Sequence, residues 1–443
     1  MTRTLRAAAG ALSLVALAAT AARAWSLEGP AGALDLGGSV RTLPALAQQP
    51  HGDPELGVFD QTLLRLTARA RLFELLTLEV HAVEALTITS GGAAGSGTLL
   101  AGAATRYRAL RLRWEQSSGE RGAAALELDR LSLKLRLPFA DLTVGRQPIN
   151  FSKSLFWNPL DVFLPFDPRV FDRDYKPGVD ALHLIIPLGG TSGVEVVSAL
   201  GRTLQPDAKA GAVAVPGGFA AATRTGSAAV ARAFTTLGRF DLALQGGLVY
   251  GGWMLGAGAS GEAFGVGLHA EVAATRADAA ADGNTPPTLL PDGNGSLRFA
   301  PLLEDRLAVS LGVDRRFDNG LLVGLELFHD GGAAPGDPLL SAARVAVGAL
   351  TNLSRDLGAL LLKKQLTPLL SAQLAALLSL SDRSALFVPQ LSWSLSDEAE
   401  LLCGAQVGLG PRPGRDPLLK FPVPRSEFGT APNLVWLEAK LYF

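Results

Sequence analysis

Residues 433–443 read NLVWLEAKLYF, and they alternate strictly. Val435, Leu437, Ala439, Leu441 and Phe443 fall on one face, while Glu438 and Lys440 fall on the other. Successive side chains of a strand point to opposite sides, so the segment offers one apolar wall and one polar wall. An ordinary amphipathic strand would do the same. The rest of the chain decides between a soluble sheet and a sheet with lipid on one side.

The pattern returns with stronger charge in 64–72. Arg65, Thr67, Arg69 and Arg71 take one face there, against Leu64, Leu66, Ala68, Ala70 and Leu72. A soluble sandwich would have to bury three arginines or expose an apolar wall. Thr77, Glu79 and His81 oppose Leu76, Leu78 and Val80, and Arg130, Ser132, Lys134 and Arg136 oppose Leu131, Leu133, Leu135 and Leu137. Milder versions follow: Ser310, Gly312 and Asp314 oppose Val309, Leu311 and Val313, and after the turn Asp318-Asn319-Gly320, Glu326 opposes Leu325 and Leu327. Gln390, Ser392 and Ser394 likewise oppose Leu391, Trp393 and Leu395. The polar set faces a water-filled lumen and the apolar set faces lipid, which is the grammar of an all-β transmembrane antiparallel β-barrel.

The N-terminus agrees. Residues 1–24 carry Arg3 and Arg6, an apolar run over 7–19 and the small-x-small site Ala22-Arg23-Ala24, so they read as a secretory signal peptide. The apolar run is too short to span a bilayer as a helix. The barrel is therefore expected over 25–443, with the bacterial outer membrane as its location and outer-membrane lipids as its surroundings. Net charge is −1, from 40 basic and 41 acidic residues, which excludes the basic footprint of a nucleic-acid binder. The single cysteine, Cys403, cannot form an internal bridge, and Leu401, Ala405 and Val407 share its face, which makes it a lipid-facing small residue.

At about ten residues per tilted strand plus connections, the chain accommodates roughly 16–18 strands, with eighteen the better fit. Up-down alternation fails somewhere in 104–150. The connections at 90–105, 205–223, 278–299, 331–338 and 410–432 are rich in Gly, Pro and Asp and belong to the outer rim. Trp393, Trp436, Tyr442 and Phe443 stand near strand ends, where aromatic girdles sit. One segment breaks the pattern: 145–178, GRQPINFSKSLFWNPLDVFLPFDPRVFDRDYKPG. A loop of this length without regular structure is uncommon unless functional. The charged loop at 149–177 is the expected constriction, through Asp161, Asp167, Arg169, Asp172, Arg173, Asp174 and Lys176.

Over 58–149 there are twelve Lys and Arg against nine Asp and Glu, an excess of three. Arg69 with Arg71, Arg111 with Arg113 and Lys134 with Arg136 recur at i, i+2, which puts each pair on one face. The pore-lining candidates are Arg65, Arg69, Arg71, Arg111, Arg113, Arg130, Lys134, Arg136, Arg146 and Gln147. A ladder of guanidinium groups attracts carboxylates and phosphates and retards cations. The competing reading is bracing: these cations pair with Glu79, Glu115, Glu127, Asp129 or neighbouring carboxylates.

Gly145-Arg146-Gln147 at a strand end, followed by Asn158-Pro159-Leu160-Asp161, resembles the large porin-like barrels that include the alginate-export type. That resemblance implies solute passage through a charged lumen narrowed by a folded-in loop, with Arg146 and Gln147 near the pore wall and Asp161 near the constriction. The chain departs from it at Pro148-Ile149-Asn150, where a Trp-Gly is expected. Terminal Phe443 also resembles the mark read by outer-membrane assembly machinery.

The function class these features select is a channel for small solutes, including anionic ones, with a homo-oligomer as a compatible state. The alternative is a closed structural or adhesive barrel. A lipid-modifying enzyme is disfavoured, because His51, His81, His183, His269 and His329 are scattered and no Ser or Cys motif accompanies them, so no catalytic residue is assigned. Asp282-Gly283-Asn284 and Asp292-Gly293-Asn294 could bind calcium, but turn chemistry explains them more simply. No metal site and no cofactor is assigned.

Overall fold

The computed structural model describes residues 24–50, 56–90, 106–119, 121–164, 175–204, 219–224, 226–278, 288–291, 297–334, 336–346, 348–415 and 422–443. The signal-peptide reading of 1–24 falls almost wholly outside them. The first strands are β1 (Trp25–Gly29), β2 (Gly32–Gln48), β3 (Leu56–Leu72), β4 (Leu76–Thr89), β5 (Arg113–Gly119), β6 (Gly122–Arg136) and β7 (Asp141–Gln147). There follow β8 (Val179–Gly189), β9 (Ser192–Ala199), β10 (Arg202–Leu204), β11 (Phe219–Ala222), β12 (Ala228–Leu237), β13 (Phe240–Val249), β14 (Gly252–Ala263) and β15 (Val266–Ala277). Next come β16 (Thr288–Pro291), β17 (Leu297–Ala300), β18 (Arg306–Arg316), β19 (Leu321–Asp330) and the helix α1 (Pro338–Ala346). The chain ends with β20 (Asp356–Gln365), β21 (Leu370–Ser379), β22 (Ala385–Ser394), β23 (Ala399–Leu409) and β24 (Asn433–Tyr442).

Eighteen of these form one closed antiparallel wall: β2 to β4, β6 to β9, β12 to β15 and β18 to β24. Closure is made by β24 against β2, from Ser39↔Tyr442 to Gln48↔Asn433. Tight turns join the strands at one rim; the other rim holds the long connections, which carry the β10–β11 and β16–β17 hairpins and α1, besides short ones such as Tyr250-Gly251 between β13 and β14. Cross-strand partners share a face, so the register assigns every side chain to one wall. Leu64, Leu66, Leu78 and Leu86 lie on the outer wall and are exposed, as is Cys403. Phe59, Gln61 and Leu63 point inward and are buried.

The expected break in alternation has a specific cause. Strand β7 is half-length because the chain leaves the wall after Gln147 and turns into the lumen. Only the lower half of β6, 131–136, pairs with β7; its upper half pairs with β5. Residues 106–119 thus fill the vacated wall position, bonding β6 through Leu128 N–H to Leu112 O (2.9 Å) and β8 through Asp180 N–H to Tyr107 O (2.8 Å). Arg146 closes the joint. It is 1% exposed, forks onto the Asp180 carboxylate at 2.7 and 3.1 Å, and donates to the carbonyls of Leu110 (2.8 Å) and Leu128 (3.0 Å). Bidentate geometry of this kind recovers the cost of burying the charge.

A β-bulge lies opposite His81 and Ala82, where β6 supplies one residue more than β4. The extra residue is Asp129, and the bulge re-aims its carboxylate inward. Two sequence expectations are corrected here. Trp436 and Tyr442 do not belong to an outer aromatic girdle: Trp436 is 2% exposed and packs with Leu43, Phe59 and Leu434, and the Tyr442 hydroxyl meets Arg41. Both share the parity of Lys440, whereas Trp393 is exposed on the outer wall.

The seam depends on a glycine. Phe443 N–H donates to Gly38 O (3.0 Å) and Gly38 N–H donates to Phe443 O (2.6 Å). A Cβ at Gly38 would stand 2.4 Å from Arg65 O and 2.7 Å from the Phe443 ring. Gly38→Val is therefore expected to destabilise barrel closure by about 1–3 kcal/mol or more through overpacking. Gly29→Ala, where the nearest heavy atom to the new Cβ is 3.9 Å away, should be tolerated. Heat-modifiable migration on unheated denaturing gels distinguishes them: the compact band is lost in the first variant and kept in the second.

Candidate constriction and pore wall

After Gln147 the chain crosses the lumen, and two inward glutamates hold it there. Glu326 of β19 accepts the backbone N–H groups of Leu155 (2.7 Å), Phe156 (3.2 Å) and Trp157 (2.7 Å). Glu271 of β15 accepts Ser152 Oγ–H (2.8 Å), Lys153 N–H (2.7 Å) and Leu160 N–H (3.3 Å). Irregular backbone placed at membrane depth has no water to satisfy its N–H groups, and these carboxylates replace it. His269 adds a contact to Glu326 at 3.0 Å.

Packing completes the docking. Trp157 stacks on Phe328 of β19 with centroids 5.6 Å apart, and its indole N–H donates to Asn352 (3.2 Å). Phe156 joins them in a cluster with Ala308, Leu357, Leu377 and Leu386 from the inner wall. Leu160 settles over Gly256 and Gly258, where a Cβ would lie 2.5 and 2.8 Å from its methyl groups. Gln245 donates to Leu160 O at 2.8 Å. The loop thus fills the side of the lumen formed by β13 to β22.

Its other root, 175–178, is pinned on the opposite side. Lys176 pairs with Asp161, both buried. Arg108 donates to Gly178 O (2.8 Å) and to Asp129 (2.7 Å), and Asp129 also receives Arg65 (2.8 Å). Just above this hub, the guanidinium carbons of Arg65 and Arg41 lie over the Tyr175 ring, at 4.2 and 5.0 Å from its centroid. His81 meets the same ring edge-on at 6.5 Å. Lys440 faces Arg41 directly across the β2–β24 pair.

The pore-lining candidates separate into three groups. Arg65, Arg130, Lys134 and Arg113 sit on the inner face but each is paired: with Asp129, with Glu79 (2.9 Å), with Asp141 (2.6 Å) and with Glu127 (3.3 Å). Arg69, Arg71, Arg111 and Arg136 are exposed, with Arg71 3.2 Å from Asp35. Arg146 and Gln147 are buried in the wall joint, the Gln147 amide donating to the carbonyls of Thr143 (3.1 Å) and Ala181 (3.0 Å). Of the loop candidates, Asp161 and Lys176 form the buried clasp, while Asp167, Arg169, Asp172, Arg173 and Asp174 lie outside the described residues. Sequence reasoning passed over Arg41, Arg108, Tyr175 and Glu271. Arg41 had a usable signal, since Ser39 and Arg41 alternate with Val40 and Thr42 toward the Lys440 face.

Beneath the loop, toward the tight-turn rim, an open cavity of about 370 Å³ lies between Lys153, Arg232, Glu195 and Asp241. Arg232 pairs with Glu195 at 2.9 Å, and Lys153 stands 3.7 Å from Asp241.

No protein-family model matches the chain, and no curated protein matches it. Solved structures do. OccD3 (OpdP) of Pseudomonas aeruginosa aligns over 95% of this chain and 93% of its own, with a TM-score of 0.51 at 8% identity. OpdK with vanillate, from the same organism, aligns over 92% and 98%, with a TM-score of 0.50 at 10% identity. OccAB4 of Acinetobacter baumannii aligns over 93% and 98%, with a TM-score of 0.52 at 8% identity. The fold is that of an eighteen-stranded outer-membrane porin barrel. The alginate-export resemblance is corrected accordingly: it holds at the level of a porin-like barrel and not of that family.

Two outcomes follow for the loop. Glu326→Ala leaves three backbone N–H groups without their acceptor, a loss of about 3 kcal/mol or more in docking, which is roughly a hundredfold more undocked loop. Trypsin cleavage at Lys153 in the folded barrel should accelerate accordingly, while cleavage of the wall stays unchanged. The second concerns pH. Burial pushes the Asp161 carboxyl up from 3.8 to about 6, although Lys176 opposes the shift. A carboxyl raised in the docked state contributes stability that is full below its ordinary value and is lost as pH rises through about 6. Protection of the loop against protease should therefore fall between pH 4 and pH 7, and Asp161→Asn should flatten that dependence.

Proposed function

We propose that the chain is an outer-membrane diffusion channel for small solutes that favours anions. The barrel spans the membrane with its tight turns toward the periplasm, as such barrels do. The observation that carries the reading is the convergence of Arg41, Arg65 and Lys440 on one stretch of the inner wall, on β2, β3 and β24. Like charges directly opposite on neighbouring strands destabilise a sheet. Lys440 is partly braced, by Glu438 at 3.9 Å and with Glu400 across from it on β23, yet on its β2 side it faces a second cation, Arg41. A low-dielectric lumen focuses the potential of such a cluster on a passing solute.

Bracing is also present, in the pairs of Arg65, Arg130, Lys134 and Arg232 with wall carboxylates. The similarity to OpdK with vanillate, itself a small anion, supports a solute channel over an adhesive barrel. Phe443, held at the seam after closure, is offered to assembly machinery only before β24 docks on β2. A homo-oligomer is compatible with this reading and is not required by it.

The test is reversal potential across a planar bilayer under a potassium chloride gradient. The wild-type channel should show anion preference. Arg41→Gln with Lys440→Gln should lower the chloride-to-potassium permeability ratio several-fold while conductance persists. An unchanged ratio would show that the cluster only braces the wall.

A further inference from the structure

From the inner face of β18 to β22 we infer an anion-binding site near the tight-turn rim, built from Arg316, Lys363 and Ser371, that takes a phosphate dianion, free or as a small monoester. The inference deepens the anion-channel reading above by naming a class of solute, and it uses none of the residues that carry that reading. Arg316 of β18 and Lys363 of β20 pair with Leu322 of β19 from its two sides, so they share a face. That face is the lumen, because Ala308 and Leu357 stand on the same sides of these two strands and pack with Phe156 of the loop. The two cations lie two strand spacings apart, about 10 Å between Cα atoms. Both line a cavity of about 280 Å³, together with Gln365, Ser371, Ser392 and Ser394. Two residues farther up β19, a Cβ at Gly324 would stand 3.0 Å from a methyl of Leu155, so the cavity lies between the docked loop and the rim.

Charge sets this cavity apart. Arg65, Arg130, Lys134 and Arg232 each stand against a wall carboxylate. Arg316 and Lys363 are exposed, and among the described residues neither has a hydrogen-bond or ion-pair partner. No carboxylate lines the cavity among the described residues, whereas Glu195, Asp241 and Glu271 line the larger one beside Lys153. Two acids nearby are turned elsewhere. Asp314, on the same face of β18, directs its oxygens to Gly267 of β15, where a Cβ would meet one of them at 2.5 Å. Glu400 accepts the Ser392 hydroxyl and faces Lys440. The Ser394 hydroxyl donates to Ser396 O at 3.2 Å, but that of Ser371, opposite Gln365, has no partner among the described residues. The site therefore offers a guanidinium fork, an ammonium point charge and a hydroxyl, from three different strands. A tetrahedral phosphate has an oxygen for each of them and carries nearly two negative charges at about pH 7. A planar carboxylate has two oxygens and one charge. Pro368 and Leu369, in the turn between β20 and β21, give an apolar edge to the carbon part of an ester.

The experiment measures binding of radiolabelled inorganic phosphate to the folded mature barrel by equilibrium dialysis in an uncharged detergent. Glycerol 3-phosphate and malonate serve as competitors, and the proteins are wild type, Arg316→Gln with Lys363→Gln, and Arg316→Lys. Expected is saturable binding in wild type, weakened at least tenfold in the double variant and severalfold in Arg316→Lys, where the charge is kept but the fork is lost. Malonate should compete at least tenfold more weakly than phosphate. Glycerol 3-phosphate competing more strongly than inorganic phosphate would identify a monoester as the occupant, and the reverse order would identify the free ion. No binding in wild type, unchanged binding in the double variant, or malonate competing as well as phosphate would overturn the inference. Reversal potential separates the site from the reading it deepens. A channel without anion preference that still binds phosphate through Arg316 and Lys363 would overturn the anion-channel reading and leave the site in place. The compact unheated band on denaturing gels verifies that each variant is folded before it is measured.

Discussion

Two carboxylates, Glu271 and Glu326, carry the arrangement on which the rest depends. Between them they receive five backbone N–H groups of residues 153–160, together with the Ser152 hydroxyl. Without such acceptors an irregular segment could not remain at membrane depth. With them, the chain can leave the wall after β7 and lie across the lumen. Every unusual feature of the wall follows from that departure. The missing half of β7 has to be replaced, and 106–119 replace it. The replacement leaves carbonyls at Leu110 and Leu128 pointing into the joint, and Arg146 satisfies both while pairing with Asp180. The loop then needs a second root, which Asp129, Arg108 and the Asp161–Lys176 pair provide.

The lumen is electrically asymmetric as a result. Its anionic wall residues on β15 and β19 are consumed in holding the loop. Arg41 of β2 and Arg65 of β3 stand on the other side, over Tyr175. Much of the arginine ladder is bracing, as the pairs of Arg130 and Lys134 show. The exception is Arg41, which faces another cation, Lys440, across the β2–β24 pair.

The fold was legible because the two walls of a barrel impose period two on every strand. Arg65, Arg69 and Arg71 against Leu64, Leu66 and Leu72 could be assigned to faces with no knowledge of their neighbours, and length bounded the strand number at about sixteen to eighteen. The anomaly at 104–150 was also visible, but its cause was not, since nothing local says that 106–119 will stand beside β6 in place of β7. The site was less legible for the same reason. Arg146 reads as a pore residue by alternation, yet it lies in the joint because the strand stops one residue later. Trp436 and Tyr442 read as girdle residues by their nearness to a strand end, yet parity with Lys440 turns them inward. Glu326 reads as one more polar residue on a strand; its role comes from residues about 170 positions earlier in the chain.

The most direct measurement locks the loop where it is seen. A Cβ at Gly324 would lie 3.0 Å from a methyl of Leu155. Cysteines at Leu155 and Gly324, in a Cys403→Ser background, should therefore be joined by a short bifunctional thiol reagent in the folded barrel. The expected result is efficient cross-linking with single-channel conductance and anion preference unchanged, because the docked loop is the conducting state. Failure to cross-link in a folded barrel, or a several-fold fall in conductance once the link forms, would contradict a conducting barrel with its loop docked on Glu271 and Glu326.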